Sequence, residues 1–149
     1  MDNSSSLIHI GITVTNIEKF ADFYEKYFGF TLKRTGTFPP EFIADAPTLY
    51  RLEAGAYSDF GFLESPNGIV LELFQFSPIL EAEESIWNKP GYHHICLKVS
   101  SVMDLYHRMS ADNVEFFFEP KPLGHIPNAH WVFLKDPDGN MIELKETDL

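Results

Sequence analysis

Two histidines and two glutamates recur at matched places along this 149-residue chain. "SLIHIGITV" at 6–14 has a near echo in "GYHHICLKV" at 91–99, which sets His94 85 positions after His9. Glu72 in "IVLELFQF" and Glu143 in "MIELKE" occupy the later apolar segments of the two halves. An imidazole in an apolar strand must find a partner or lose solvation free energy. Two imidazoles and two carboxylates suit a divalent cation of borderline preference: imidazole nitrogen favours Ni, Co, Zn or Fe, and carboxylate oxygen tolerates all of these and Mn. Four protein ligands on an octahedral ion leave two positions for water or a bidentate substrate, an open Lewis-acid site. Taken singly, each residue has a plainer reading. An "HI" histidine can bond a backbone carbonyl, and an "EL" glutamate can sit at a strand edge in solvent. The recurrence of all four at equivalent places is what favours metal.

The elements that must position these groups are legible as a duplication. Strict alternation makes 8–14 a strand with Ile8, Ile10, Ile12 and Val14 on one face and His9, Gly11 and Thr13 on the other. Thr15 or Asn16 can cap a helix with Phe20, Phe23, Tyr24 and Tyr27 on one face, ending near Gly29. The strand "FTLKRTG" follows. From Thr35 to about Tyr57, "FPPEF" and "ADAP" favour a loop, and "DFGFLES", the turn "SPNG" and "IVLELFQF" form a hairpin. The second half repeats the order: strand "YHHICLKV", helix "SVMDLYHRMSAD" with Val102, Leu105, Tyr106 and Met109 inward, short strand "VEFFF", then a hairpin of "HWVFLK" and "MIELKE" about "DPDGN". The fold class is therefore α+β: two tandem βαβββ modules, at about 6–77 and 91–147, joined by a linker at about 78–90 within one domain of residues 1–149. Alternation sets Glu72 with Val70, Phe74 and Phe76, Glu143 with Met141 and Lys145, and His94 with Tyr92, Cys96 and Lys98. If helices cover the opposite faces, all four polar groups look into one hollow of a curved mixed sheet.

The remaining polar residues carry weaker signals. His93 points with Ile95 and Leu97 and reads as a histidine satisfied by its neighbours, and His107 lies on the polar side of its helix. His125 and His130 flank the loop "GHIPNAHW", where they are candidates to close over a substrate. Cys96 has no activating partner in sequence and reads as packing. The aromatic stripe of the first helix is core, whereas Phe74, Phe76 and Tyr92 are candidates to line an apolar pocket.

Composition narrows the function classes. Hydrophobic residues make up 44% and aromatic residues 15% of the chain, which argues for a folded globule. The net charge of -11 would repel a phosphate backbone, so nucleic acid is excluded as the expected partner. No apolar run has the length of a membrane span, and "MDNSSS" lacks the features of a signal peptide. Cys96 is the single cysteine, so no intrachain disulfide can form, in keeping with a reducing compartment. A cytoplasmic protein acting on a small molecule is expected.

"IHIGITVTNIEKFADFYEKYFGF", "IVLEL", "HHICLKV" and "DPDGNMIEL" together resemble the module starts and closing strands of the vicinal oxygen chelate superfamily. That superfamily includes glyoxalases, methylmalonyl-CoA epimerases, extradiol dioxygenases and fosfomycin or bleomycin resistance proteins. The resemblance covers nearly the whole chain and places the family's metal ligands on His9, Glu72, His94 and Glu143. This set is similar to that of bacterial lactoylglutathione lyase, while "HHI" and the acidic linker look like the epimerase branch. The resemblance implies one divalent ion per site (Ni, Co, Zn, Mn or Fe), a small-molecule substrate and a homodimer. It also implies isomerase, epimerase or lyase chemistry by proton abstraction beside a metal-chelated carbonyl. Glu143 is the expected base, with Glu72 as ligand and catalytic partner. An Fe(II) extradiol-type dioxygenase is the first alternative, although its triad needs only two histidines and one carboxylate. A drug-binding resistance protein without enzymatic activity is the second.

Overall fold

The computed structural model describes residues 4–124 and 126–148. The chain falls into two compact units, Met1–Glu81 and Ala82–Leu149. In the first, the order is β1 (His9–Thr13), α1 (Ile17–Phe28), β2 (Thr31–Phe38), α2 (Pro40–Ala44), α3 (Pro47–Tyr50), β3 (Tyr57–Glu64) and β4 (Val70–Ser77). In the second it is β5 (His94–Lys98), α4 (Val102–Ala111), β6 (Lys121–Pro122), β7 (His130–Lys135) and β8 (Met141–Lys145). Each unit holds a four-stranded mixed sheet, ordered β1-β4-β3-β2 and β5-β8-β7-β6. In each, the first strand runs parallel to the last and the other pairs are antiparallel. The architecture is α+β with a duplicated module, as the sequence pattern anticipates.

Local chemistry explains the correspondence. Asn16 caps α1 by accepting from the Lys19 N–H at 2.8 Å, and Ser101, again 85 residues on, caps α4 by accepting from the Asp104 N–H at 3.1 Å. Gly29 ends α1 in the left-handed conformation at φ 70, which glycine adopts without a Cβ clash. One face of the first sheet packs on α1: Leu63, Leu71 and Leu73 are fully or almost fully buried with Phe20 and Tyr24. A Cβ on Gly61 would lie 3.0 Å from Ile17 Cγ2 and 3.1 Å from Leu32 Cδ1, so any side chain there requires those two side chains to give way by a few tenths of an ångström. In the second unit Val132, Leu134, Ile142 and Leu144 pair with buried Val102 and Met109 in the same way. The opposite faces carry the histidines and glutamates.

The hairpin turns repeat too. In "SPNGI" the Ser65 N–H donates to the Ile69 carbonyl at 2.8 Å, and in "DPDGN" the Asp136 N–H donates to the Asn140 carbonyl at 3.0 Å. The Asp136 carboxylate further accepts from the Asp138 and Asn140 backbone N–H groups, both at 2.9 Å, and from the Asn140 side chain. Burial pushes its pKa upward against those bonds. "DPDGN" thus serves as turn chemistry.

Two expectations are corrected. The segment anticipated as a loop between β2 and β3 contains α2 and α3, each begun by a proline whose missing N–H is no loss in the first helical turn. "VEFFF" forms only a single bridge, Phe116 to Leu134, together with hydrogen bonds at Glu115 and Phe117. Pro120 and Pro122 follow closely and supply no N–H to extend the ladder, so the paired strand on that side is the two-residue β6.

Candidate functional site

The structure places the four candidate ligands as two pairs, one in each unit. Parallel pairing of β1 with β4 sets Gly11 opposite Glu72 and His9 opposite Val70. From there His9 Nε2 reaches Glu72 Oε2 at 3.0 Å. In the second unit, Cys96 stands opposite Glu143 and His94 opposite Met141, and His94 Nε2 reaches Glu143 Oε2 at 3.2 Å. The same atoms meet in both units. Both carboxylates are largely buried, with side chains 14% exposed, while His9 is 47% and His94 27% exposed. Among the described residues no group of three or more His, Cys, Asp or Glu stands together in a way that could hold an ion. Each pair is half of the expected ligand set.

Neighbours missed by the sequence reading lie in register with the glutamates. Phe62 on β3 stands opposite Glu72, and Phe133 on β7 stands opposite Glu143. The Phe133 ring meets the His94 imidazole edge to face at 5.0 Å. A spacing of 71 residues relates Phe62 to Phe133 as it relates Glu72 to Glu143, so the repeat itself carries the signal. Beyond the glutamates the halves differ. Phe74 in the first unit belongs to a run of rings with Phe38, Phe60 and Phe76, whereas Lys145 in the second sets Nζ 3.8 Å from Glu143 Oε1.

Cys96 is held as a thiol. Partial desolvation, then the charge of Glu143 and a hydrogen bond to it, push its pKa up to about 11. The residue is exposed, so the expected packing role is corrected, while the raised pKa keeps the thiol unreactive. His93 is not satisfied as expected: its Nε2 is buried without a hydrogen-bond partner among the described residues, and its ring stacks on Trp87. His107 is exposed, as expected. His130 is tied down at the start of β7, where its N–H donates to Glu146 Oε2 at 2.6 Å and its Nδ1 lies 3.4 Å from the same oxygen. Tyr92 is fully exposed ahead of β5, and His125 lies outside the described residues.

A family model described as the Glyoxalase/Bleomycin resistance protein/Dioxygenase superfamily matches residues 6–144. The chain belongs to this superfamily. No curated protein matches it. Among solved structures, a glyoxalase family protein from Bacillus cereus superposes with a TM-score of 0.78 at 17% identity, covering 97% of each chain. The trypanothione-dependent glyoxalase I of Leishmania major gives 0.67 at 24% identity, over 95% of this chain and 86% of that one. A variant of the fosfomycin resistance protein of Listeria monocytogenes, complexed with Mn(II) and a dihydroxypropylphosphonic acid, gives 0.63 at 19% identity over 98% and 95%. At these identities the likeness establishes the superfamily fold, which hosts more than one chemistry.

Proposed function

We propose that the protein is a divalent-metal-dependent isomerase, epimerase or lyase of the glyoxalase type, acting on a small molecule as a homodimer, with both units serving one domain. The observation that carries this reading is the pair of His–Glu contacts, Nε2 to Oε2 at 3.0 and 3.2 Å, at matched positions of the repeat. The donor set fits the group: nitrogen and oxygen ligands of borderline and hard character, with two carboxylates to balance a divalent charge. His9, Glu72, His94 and Glu143 would hold the ion, which supplies a Lewis acid that polarises a substrate carbonyl.

The chain's own residues account for the rest. Glu143 removes a proton from the carbon beside that carbonyl and returns it to the neighbouring carbon or the opposite face. Its carboxylate is largely buried, and the ammonium of Lys145 lies 3.8 Å from its Oε1. Phe62 and Phe133, one beside each glutamate, keep bulk water from the carboxylates. The single cysteine is in keeping with a cytoplasmic setting.

The test is metal content per chain by elemental mass spectrometry, on protein purified without chelator. The comparison is a His9→Ala, Glu143→Ala double variant, which lacks one ligand from each pair. The expected result is about one divalent ion per chain in the parent and none in the variant. Absence of metal in the parent, even after incubation with Ni, Co, Zn, Mn and Fe, overturns the reading and leaves ligand sequestration as the function.

A further inference from the structure

The segment between β4 and β5 carries Trp87, and its indole lies against both histidines at the start of the second module. Its ring is parallel to that of His93, at 1° and 5.1 Å between centroids, and tilted by 37° against that of His94 at 5.4 Å. Trp87 also meets the edge of Phe133 at 5.8 Å, and Phe133 in turn meets His94 at 5.0 Å. The His94 imidazole therefore packs at the corner of a three-ring cluster with an indole and a phenyl ring that also touch each other, while its Nε2 points to Glu143. We propose that Trp87 is a positioning residue, which fixes the His94 ring in the orientation that presents Nε2 for ligation.

Three observations converge on this. His9 and His94 make the same bond to their glutamates, yet His94 is 27% exposed against 47% for His9, so the second imidazole has the more confined setting. Trp87 itself remains 59% exposed. Burial therefore supplies only part of the free energy an indole can gain, and its ring contacts decide where it sits. His93 gives up solvent at Nε2 without a hydrogen bond among the described residues, a cost that its stack on Trp87 helps to offset. Two consecutive imidazoles against one indole fix its tilt. An imidazole ligand has two rotatable torsions, and a metal binds more tightly when neighbours have already chosen the rotamer. Trp87 precedes β5 in a segment that is neither helix nor strand, so the stretch joining the modules takes part in the site as well as connecting them.

The proposal rests on the metal reading, and two measurements on the full chain keep the two separable. Co(II) affinity is read from visible absorbance in the parent, Trp87→Ala and Trp87→Phe. Ring 15N–1H correlations of His94 and His9 are recorded on the metal-free proteins, with thermal midpoints. We expect Trp87→Ala to bind Co(II) about tenfold more weakly and Trp87→Phe to remain within about twofold of the parent. In the metal-free chain, the His94 ring signals should broaden, or move by more than loss of the indole ring current accounts for, in Trp87→Ala while those of His9 stay in place. Unchanged Co(II) affinity in Trp87→Ala overturns the proposal, including when the midpoint falls, because that is the mark of a purely structural residue. If the parent takes up no Co(II), the metal reading fails. The metal-free spectra then decide only whether Trp87 holds the His94 ring: broadening or a tautomer change confined to His94 shows that it does, a displacement no larger than loss of the indole ring current shows that it does not, and the ligation role falls with the metal reading.

Discussion

At the scale of single residues, the second half-site couples a carboxylate to a thiol. Cys96 faces Glu143 across the β5–β8 pair, and its raised pKa of about 11 arises first from partial desolvation and then from that carboxylate. A thiol displaced upward from 9.0 carries about a hundredfold less thiolate at pH 8, so alkylation of the metal-free chain is slow and its rate climbs until the pH approaches 11. Glu143→Gln removes the carboxylate's charge while leaving the desolvation in place, which lowers the thiol's pKa. The expected outcome is alkylation by iodoacetamide at pH 8 several-fold faster in Glu143→Gln than in the parent. Equal rates would mean that Glu143 contributes nothing to the thiol's environment.

At the scale of elements, the repeat extends into side-chain roles that apolar patterning does not reveal. Gln75 lies three residues after Glu72, and its Oε1 accepts from the Ile17 N–H at the start of α1 at 2.8 Å. Glu146 lies three residues after Glu143, and its Oε1 accepts from the Val102 N–H at the start of α4 at 2.7 Å. Each closing strand therefore ties down the helix of its own module. The Glu146 carboxylate also accepts from the His130 N–H at 2.6 Å and meets the positive end of the α4 dipole. Glu146→Ala leaves two donors without this partner and should cost about 2–4 kcal/mol, against about 1 kcal/mol for Gln75→Ala with its single neutral bond. Urea unfolding of the two variants checks that ordering. Alternation and capping residues made the strands other than β6, both long helices and the hairpins legible, because each is decided by local sequence. The faces of His9, Glu72, His94 and Glu143 followed from the same alternation. What stayed hidden depends on register and on chain outside the strands. Phe62 and Phe133 flank the glutamates through cross-strand pairing, Trp87 reaches His94 from the joining segment, and Pro40 and Pro47 open short helices in a stretch whose prolines read as loop.

At the scale of the whole molecule, duplication with one His–Glu pair per unit makes the route of assembly testable without knowing the substrate. Each unit buries its own core and carries half of the proposed ligand set. In a two-fold symmetric dimer that shares its sites, the first unit of one chain completes its ligand set with the second unit of the other, giving two sites per dimer. Chains carrying His9→Ala are then defective only in their first unit, and chains carrying His94→Ala only in their second. In a mixed dimer one site collects both defects and the other collects none. Co-refolding equal amounts of the two variants should therefore restore about a quarter of the parent's metal content, since half of the randomly formed dimers are mixed and each regains one of two sites. Each variant refolded alone should bind none. If the mixture also binds none while the parent binds fully, both pairs act within one chain, and the two units must supply a complete site without a partner.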